Sequence, residues 1–313
     1  MEISVKPLSV RFGAEVFGID LSQPLDLVTR DRLIKIQDQW GVTVYRNTGL
    51  NDAGHVAFSR HFGLLETAPA PAGRKRRLTL PELFDASNLN PEGEITKDAA
   101  AITYRKGDRL FHCDSSFMPL RTSYSMLLAH EVPNQGGATW FADLRSAYDD
   151  LPEAMKSRLE GLVGEHSLWW SRKQAGAAIA MQDIDERSKA RHPLIHTHTG
   201  SARKVLYIGA HLLDIIGMPR ADGRMLIDEL IAFASQPKYL ISVRYQRGDM
   251  TIWDNLACMH RGGEFDFENE RRDMRRTTVR EAVANYANGD NAYSKLFEDM
   301  PSLVSAVAKP AGL

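Results

Sequence analysis

The chain lacks several features that would place it in a specialised class of protein. Two cysteines among 313 residues, Cys113 and Cys258, are too few for a disulfide framework. No apolar run approaches the roughly 18 residues that a membrane helix needs, and the N-terminal residues form no apolar signal segment. The formal net charge of −1 indicates no attraction to nucleic acid or to a membrane surface. These absences predict a cytoplasmic globular protein that binds neither membranes nor nucleic acid.

What the chain does contain is the material for one large folded unit. Hydrophobic residues make up 43% of it and charged residues 25%, which is ordinary for a globular protein. Many short apolar segments predict strands, and a few amphipathic segments predict helices. We therefore expect a single domain over residues 1–313, mainly β with α additions, as a β-barrel or jelly roll flanked by helices. Predicted strands are 3–10, 16–21, 41–45, 124–129, 138–142, 205–208, 239–245, 250–253 and 274–279, and predicted helices are 29–40, 51–62, 144–162 with an interruption at Pro152, and 222–235.

One long segment, residues 66–110, breaks this pattern. Prolines and glycines interrupt any periodicity there, and a basic run, residues 74–77, lies near its middle. Loops of this length inside a compact domain are usually functional or disordered. The segment is therefore either a lid over a functional site or a solvated excursion on the surface, and the basic run alone does not decide between them.

A histidine and a carboxylate, His112 and Asp114, stand two residues apart just after this segment. On an extended strand, residues i and i+2 face the same side, so the two side chains would point together while Cys113 points away. A second histidine, His260, lies 148 residues further along (260 − 112), and folding can bring it to the same point. Two histidines and one carboxylate form the facial triad that holds non-haem Fe(II) and leaves positions on the metal open.

Other interpretations of the histidines stay open at this point. A lone His-x-Asp pattern is common, so it becomes informative only through the residues around it. His196 and His198 form a rival pair with the same spacing, but no carboxylate lies next to them, which favours a loop or a supporting role. The remaining histidines are isolated, and we expect ordinary structural roles for them.

An arginine cluster lies between residues 271 and 280. If this segment is extended, Arg272 and Arg276 share one face of the strand, whereas Arg275 lies on the other. Arginines that face inward beside a metal would be costly unless anions satisfied them, and arginine binds carboxylates in a bidentate fashion. Two such arginines imply two acidic ligands, for example a keto acid and an acidic substrate. A nucleic-acid patch or a solvated basic strand is the alternative, which the interspersed acidic residues weaken.

Four segments form a family pattern when they are taken together. They are HCDSSF (112–117), GGATWFAD (136–143), WDN followed by HR (253–261) and RRDMRRTT (271–278). This set resembles the TauD/TfdA family of Fe(II)- and 2-oxoglutarate-dependent dioxygenases. The resemblance extends from about residue 3 to residue 283, and it is strongest to the phenoxyalkanoate branch of the family.

The resemblance implies a fold, a set of cofactors and a role for particular residues. The implied fold is a double-stranded β-helix, or jelly roll, flanked by helices, with residues 66–110 as a loop or lid insertion. The implied metal is Fe(II), and the implied cosubstrates are 2-oxoglutarate and O2. The residues it assigns are His112, Asp114 and His260 as iron ligands and catalytic residues, Thr139 and Arg272 as ligands of the distal carboxylate of 2-oxoglutarate, Arg276 as the ligand of the substrate's acid group, and Arg105, His198, Asn88 and Lys106 as candidate substrate-loop residues.

The resemblance also implies a reaction. The expected substrate is a small anion with an aromatic group, an aryloxyalkanoate such as 2,4-dichlorophenoxyacetate. Hydroxylation of its α-carbon would give a phenol and glyoxylate, with succinate and CO2 from 2-oxoglutarate. A taurine or alkylsulfonate dioxygenase is the alternative within the same class, and a non-catalytic metal-binding jelly-roll protein is the alternative outside it. By analogy with the family, we expect a homo-oligomer.

Overall fold

The computed structural model describes residues 2–68 and 76–281. Strands are the more numerous elements in these ranges, and helices lie between them in the sequence. The strands are β1 (Ser4–Pro7), β2 (Ala14–Phe17), β3 (Val42–Tyr45), β4 (Phe84–Asp85), β5 (Thr122–Glu131), β6 (Thr139–Asp143), β7 (Val163–His166), β8 (Ala190–Pro193), β9 (Ile195–Thr197), β10 (Lys204–Leu206), β11 (Leu212–Ile215), β12 (Leu240–Val243), β13 (Met250–Asp254), β14 (Cys258–Gly262) and β15 (Asp273–Arg280).

Several helices begin where a side chain can accept a hydrogen bond from the first turn. Asp26 accepts a bond of 2.6 Å from the backbone N–H of Thr29, and Asn51 accepts one of 2.9 Å from Gly54. The first helix ends at Gly41, whose φ of 69° suits glycine. Among the helices of the described ranges, none is both long enough and apolar enough to cross a bilayer. The helices are α1 (Leu27–Trp40), α2 (Asp52–Arg60), α3 (Ala99–Lys106), α4 (Leu144–Asp149), α5 (Glu153–Leu159), α6 (Leu168–Gln174), α7 (Met181–Asp185) and α8 (Arg220–Ala234).

Two sheets carry the candidate site. The larger sheet has the strand order β1-β2-β3-β13-β5-β15-β4, and its neighbours are antiparallel except for β2 and β3. The smaller sheet has the order β12-β6-β14 and is antiparallel. Thr139 and His260 lie on the smaller sheet, and Arg276 lies on the larger one. The site therefore draws its residues from both sheets.

An apolar layer packs the two sheets together. Val42, Leu127 and Trp253 of the larger sheet belong to the same buried cluster as Phe141 and Ile241 of the smaller sheet. Fully burying a large apolar side chain stabilises a fold by roughly 1.5–3 kcal/mol. Because interiors are close-packed, this layer fixes the spacing of the sheets and with it the positions of the polar residues on the same strands.

The elements agree with the predicted ones in kind and differ in extent. The helix predicted over residues 144–162 is two helices, α4 and α5, which are separated at Pro152. The segment 66–110, predicted as a loop, contains a short strand and a helix, β4 and α3. Residues 69–75 of that segment, with the first half of its basic run, lie outside the described residues.

Candidate metal centre and anion site

The two candidate histidines are joined through their backbones. The N–H of His112 donates to the carbonyl of His260 at 2.9 Å, and the N–H of His260 donates to the carbonyl of His112 at 2.8 Å. Because His260 lies on β14, this bridge holds the segment around residue 112 against the smaller sheet. The next residue, Cys113, turns its sulfur into the core, where it lies 3.6 Å from the carbonyl oxygen of Ile208. Folding thus brings the two distant histidines to one point.

Asp114 lies in a turn, so the extended conformation predicted for residues 112–114 is wrong. The turn begins at Asp114, and Ser115 has a positive φ of 49°. The carboxylate still faces both imidazoles, with His112 Nε2 3.8 Å from Oδ1 and His260 Nε2 3.7 Å from Oδ2. The three side chains are buried, and their potential ligand atoms lie within 4.8 Å of one another. This cluster has the composition and spacing of a metal site.

The protonation states of these side chains suit a divalent metal. His112 Nδ1 lies 2.7 Å from the carbonyl oxygen of Leu110, so this nitrogen carries the proton and Nε2 keeps its lone pair. Burial, aided by His112, lowers the pKa of His260 to about 3, which keeps its imidazole neutral. Burial alone would raise the pKa of Asp114, but nearby positive charge, chiefly that of Arg276, lowers it to about 2. Neutral imidazoles and an ionised carboxylate are the ligand forms that Fe(II) takes.

The orientation of Asp114 is fixed by residues that were not predicted to have a role in the site. Ser125 donates a hydrogen bond of 2.7 Å to Asp114 Oδ2. Asn255 accepts a bond of 2.9 Å from the backbone N–H of Asp114 and donates one of 3.0 Å to Ser125 Oγ. The indole of Trp253 donates to the same amide oxygen of Asn255 at 3.1 Å. Partners of this kind set the geometry of a metal ligand, and Asn255 belongs to the WDN motif that the sequence singled out.

Arg272 is a partly buried cation whose guanidinium donates to neutral partners among the described residues. Its Nε donates to the carbonyl of Gly137 at 3.3 Å, and its Nη1 donates to the carbonyl of Ala86 at 3.1 Å. Its backbone N–H donates to Asn88 Oδ1 at 2.9 Å, so Asn88 contacts Arg272 rather than a substrate position. Within the described residues, no carboxylate forms a salt bridge with this guanidinium, and burial lowers the pKa of Arg272. A buried charge without a counter-ion is costly, so the position suits an acidic ligand.

On β15, the strand that begins directly after Arg272, one face is neutralised within the protein. Arg275 donates to Asp52 at 2.6 Å and to Asp273 at 2.8 Å. Arg272 and Arg276 lie on the opposite face from Arg275, as strand alternation predicts. The chain therefore pairs Arg275 with two carboxylates and leaves Arg272 without a carboxylate partner among the described residues.

Arg276 lies at the metal cluster itself. Its Nη1 donates a short hydrogen bond to Asp114 Oδ1, and its guanidinium lies over the ring of Phe84, 5.0 Å from the centroid. The Nε of Arg276 is buried and has no hydrogen-bond partner among the described residues. The guanidinium therefore has donor capacity left for an anion beside the cluster.

Thr139 lies on the strand that joins the cluster to Arg272. In the pairing of β6 with β14, Phe141 is opposite His260, and Thr139 lies two residues before Phe141 on the same face of β6. Gly137, two residues further back, supplies the carbonyl that accepts from Arg272. A single short stretch of chain thus links the metal cluster to the guanidinium of Arg272.

The two remaining candidates, Arg105 and His198, lie in different places. Arg105 is on α3, its Nη1 is 3.5 Å from the carbonyl of Asp85, and its charge is close enough to lower the pKa of Arg272. His198 belongs to a separate buried group with Asp254, to which its Nε2 is bonded at 2.8 Å. The structure therefore places Arg105 on the anion side of the site and does not bring His198 to the triad.

The second group, Asp38, His198 and Asp254, has an explanation within the protein. Nδ1 of His198 accepts a hydrogen bond of 3.0 Å from the backbone N–H of Ser201, so the proton is on Nε2, which donates to Asp254. Asp254 Oδ1 in turn accepts from the backbone N–H of Leu256 at 2.8 Å. Both ring nitrogens of His198 form hydrogen bonds within the protein, so we interpret this group as a structural histidine–aspartate pair.

Aromatic residues near the triad divide between site and core. The ring of Phe117 lies 5.0 Å from that of His211, which lies 5.4 Å from that of His112. Trp169 and Trp170 instead pack in a separate apolar cluster, where Trp169 is buried. Phe117 therefore borders the candidate site, whereas the two tryptophans serve the core.

A buried arginine ties the segment 66–110 to the rest of the protein. Arg172 of α6 lies 4.1 Å from the ring centroid of Tyr104 of α3, and its Nη2 is 3.2 Å from Asp108 Oδ1. Its side chain is almost fully enclosed, and an added Cβ at Gly107 would come within 1.8 Å of it. The C-terminal part of the segment is therefore docked next to the site instead of extending into solvent.

A family model matches residues 4–278, and its description is "Taurine catabolism dioxygenase TauD, TfdA family". The match covers well over half of the chain. The chain therefore belongs to the TauD/TfdA family of dioxygenases. This confirms the family that the four motifs predicted.

Individual relatives agree over nearly the whole length. The α-ketoglutarate-dependent 2,4-dichlorophenoxyacetate dioxygenase of Cupriavidus pinatubonensis is 37% identical over 292 residues, which are 90% of this chain and 100% of the relative. A protein of the same description from a Burkholderia species is 41% identical over 282 residues, 89% of this chain and 95% of the relative. Among solved structures, AAD-2 in complex with Mn(II) and N-oxalylglycine has a TM-score of 0.82 and 33% identity, and the match covers 90% of this chain and 98% of that one. The fold, strands with added helices, is thus that of the family.

Proposed function

We propose that the protein is an Fe(II)- and 2-oxoglutarate-dependent dioxygenase that hydroxylates an aryloxyalkanoate at its α-carbon. The observation that carries the proposal is the pairing of a buried two-histidine, one-carboxylate cluster with a partly buried arginine, Arg272, that has no carboxylate partner among the described residues. The relatives named for 2,4-dichlorophenoxyacetate support the choice of substrate class.

In this proposal, His112, Asp114 and His260 hold the metal and are the catalytic ligands. Iron bound there supplies the redox chemistry that couples oxidative decarboxylation of 2-oxoglutarate by O2 to hydroxylation of a C–H bond. Thr139 and Arg272 hold the distal carboxylate of 2-oxoglutarate, since a bidentate guanidinium and a hydroxyl match its oxygens. They fix the far end of the keto acid and so orient its keto-acid end toward the triad.

The substrate side follows from Arg276. Its guanidinium binds the carboxylate of the aryloxyalkanoate and thereby places the α-carbon near the triad. Arg105, on α3, is a second candidate for this anion, whereas the contacts of His198 give its predicted substrate role no support. Hydroxylation of the α-carbon gives a hemiacetal, which splits into a phenol and glyoxylate, while 2-oxoglutarate leaves as succinate and CO2.

The proposal extends to the architecture. Two mainly antiparallel sheets that share an apolar layer support a double-stranded β-helix, or jelly roll, with the triad on it. We infer one dioxygenase domain over residues 1–313, in which residues 66–110 form a lid that α3 docks beside the site. Assembly of the protein as a homo-oligomer remains part of the proposal by analogy with the family.

The test is an anaerobic titration of the metal-free protein with Fe(II) and 2-oxoglutarate. We expect a weak visible absorption band of the ferrous keto-acid complex, which shifts when phenoxyacetate is added and not when taurine is added. Aerobic turnover should then release phenol and succinate in equal amounts. Asp114→Ala is the control, because it removes one donor of the triad and should abolish the band.

Each other result assigns the protein differently. A shift with taurine instead of phenoxyacetate would make it an alkylsulfonate dioxygenase, because Arg276 binds either anion. No band with iron demonstrably bound would contradict the keto-acid site and favour a non-catalytic metal-binding protein. Full activity of Asp114→Ala would contradict the assignment of the triad.

A further inference from the structure

A tyrosine that carries no assigned role contacts the candidate keto-acid site. Tyr245 follows β12, and its hydroxyl donates a hydrogen bond of 3.0 Å to Thr139 Oγ1. Its ring packs against the apolar layer between the two sheets. Burial raises the pKa of Tyr245, so the hydroxyl keeps its proton. In the hydrogen bond between the two hydroxyls, the phenol is the donor and the threonine oxygen is the acceptor.

That direction determines what the threonine can do. A hydroxyl has one proton to donate and two lone pairs that accept. Because Thr139 Oγ1 accepts the proton of Tyr245, its own proton is left for another acceptor. Thr139 is buried, and its neighbours on β12 and β14 already use its backbone groups. The proton of this hydroxyl is therefore directed away from Tyr245.

Arg272 marks the space near Thr139 as an anion site. Its Nε bonds to the carbonyl of Gly137, two residues before Thr139 on the same stretch of chain. Tyr245 and Arg272 also interact electrostatically, so the phenol that bonds to Thr139 lies near the guanidinium. A carboxylate there would meet a cation and a hydroxyl whose proton is already free to donate.

We propose that Tyr245 is a positioning residue for the distal carboxylate of 2-oxoglutarate. It acts through Thr139: by occupying one lone pair of that hydroxyl, it commits the threonine's proton to the ligand. This inference rests on the proposed function, since it needs Thr139 and Arg272 to bind the keto acid. It adds a third member to that site and explains why a phenol, rather than a phenylalanine, stands at position 245.

The test measures binding, not turnover. Isothermal titration of the Mn(II)-loaded protein without O2 gives the Kd for 2-oxoglutarate and for 2-oxobutyrate, which lacks the distal carboxylate. A neutral hydrogen bond of this kind corresponds to a change of about three- to tenfold. We expect Tyr245→Phe to raise the Kd for 2-oxoglutarate by that factor and to leave the Kd for 2-oxobutyrate unchanged.

Two further variants separate positioning from packing. Thr139→Val removes the hydroxyl while keeping its shape, and in that background Tyr245→Phe should have no additional effect. Tyr207→Phe is the matched control, because the Tyr207 hydroxyl is buried without a hydrogen-bond partner among the described residues. It should leave both Kd values as they are.

The outcomes distinguish this inference from the proposed function. If the wild type binds 2-oxoglutarate no better than 2-oxobutyrate, both the proposed function and the inference are wrong. If the wild type discriminates and Tyr245→Phe binds like it, only the inference is wrong. Equal weakening of both ligands, or an effect that persists beside Thr139→Val, would assign Tyr245 to packing and overturn the positioning role.

Discussion

Replacing Arg272 by methionine should separate ligand binding from stability. Methionine fills nearly the same volume as the arginine stem and removes the charge. In the protein, this guanidinium donates to two carbonyls, those of Gly137 and Ala86, and to no carboxylate among the described residues. The variant therefore loses the counter-ion of 2-oxoglutarate but breaks no salt bridge of the described residues.

The two effects have different sizes. Truncating one partner of a buried, hydrogen-bonded charge pair costs about 2–5 kcal/mol of binding free energy. Since each factor of ten in Kd corresponds to about 1.4 kcal/mol, a loss of about 3–4 kcal/mol raises the Kd for 2-oxoglutarate roughly 150- to 700-fold. The free energy of unfolding, by contrast, is affected by two opposing changes. The loss of two neutral hydrogen bonds lowers it by about 1 kcal/mol each, and the removal of an unpaired charge from a desolvated position raises it. We expect it to change by no more than about 1 kcal/mol.

Arg275→Met is the matched control from the same segment of the chain. Arg275 pairs with Asp52 and Asp273 on the other face, and its side chain is 19% exposed. Removing it leaves Asp52 without its arginine, whereas Asp273 keeps Arg77. We expect a loss of about 1–2 kcal/mol in stability, below the 3–5 kcal/mol of a fully buried pair because solvent reaches the group. Its Kd for 2-oxoglutarate should stay within a factor of two or so of the wild type.

The assays are isothermal titration with 2-oxoglutarate and urea unfolding of the metal-free proteins. We expect the two variants to show opposite effects. Arg272→Met loses affinity for 2-oxoglutarate and keeps its stability, whereas Arg275→Met loses stability and keeps its affinity. This expectation would be refuted if Arg272→Met bound 2-oxoglutarate within tenfold of the wild type, since the guanidinium would then face no ligand. It would also be refuted if Arg272→Met were the more destabilised of the two, since the charge would then be neutralised within the protein.

Two further outcomes concern the triad's support and the pH dependence of stability. Ser125→Ala leaves Asp114 Oδ2 without its partner, so we expect metal affinity, measured by competition with a chelator, to fall about 10–100-fold; unchanged affinity would show that this bond does not orient the ligand. His55 is buried, and burial lowers its pKa to about 3 from 6.5. As the pH falls below about 6.5, this histidine becomes protonated in the unfolded chain but stays neutral in the folded protein. Its contribution to the free energy of unfolding is therefore fully present above pH 6.5 and should decline toward pH 4 by about 1.4 kcal/mol per pH unit. His55→Asn should lack that share in urea titrations at several pH values, and identical pH slopes would contradict the assignment.

The sequence was most informative where local geometry controls the outcome. Strand alternation separates Arg275 from Arg272 and Arg276, and the structure keeps that separation. The pairing of His112 with His260 followed from residue chemistry, although nothing local specifies it. The extended conformation around Asp114 was wrong because tight tertiary contacts hold that residue in a turn, where Ser115 takes a positive φ.

Other parts of the site depend on contacts that no local pattern encodes. Ser125 is an ordinary polar residue on a long strand, and only the folded protein places it against Asp114. Tyr245 stands just beyond a strand, where an aromatic residue normally signals packing. Asn88 lies in a segment whose composition predicts only irregular structure, yet its amide holds the backbone of Arg272. For Tyr245 and Asn88, the hydrogen-bond partner lies more than a hundred positions away in the sequence. The periodicity of a local segment cannot predict such a contact.

The reciprocal backbone bonds between His112 and His260 have a consequence for how the protein is made. Synthesis proceeds from the N-terminus, so the first histidine and the aspartate leave the ribosome long before the second histidine exists. Until then, the nascent chain offers two ligands and no strand to dock them on. Closing so long a loop is entropically unfavourable on its own, and the bridge forms only with the sheets that carry it. A product of premature termination before residue 260 therefore cannot complete the triad, and it lacks Arg272 as well, so metal loading reports that translation has passed residue 260.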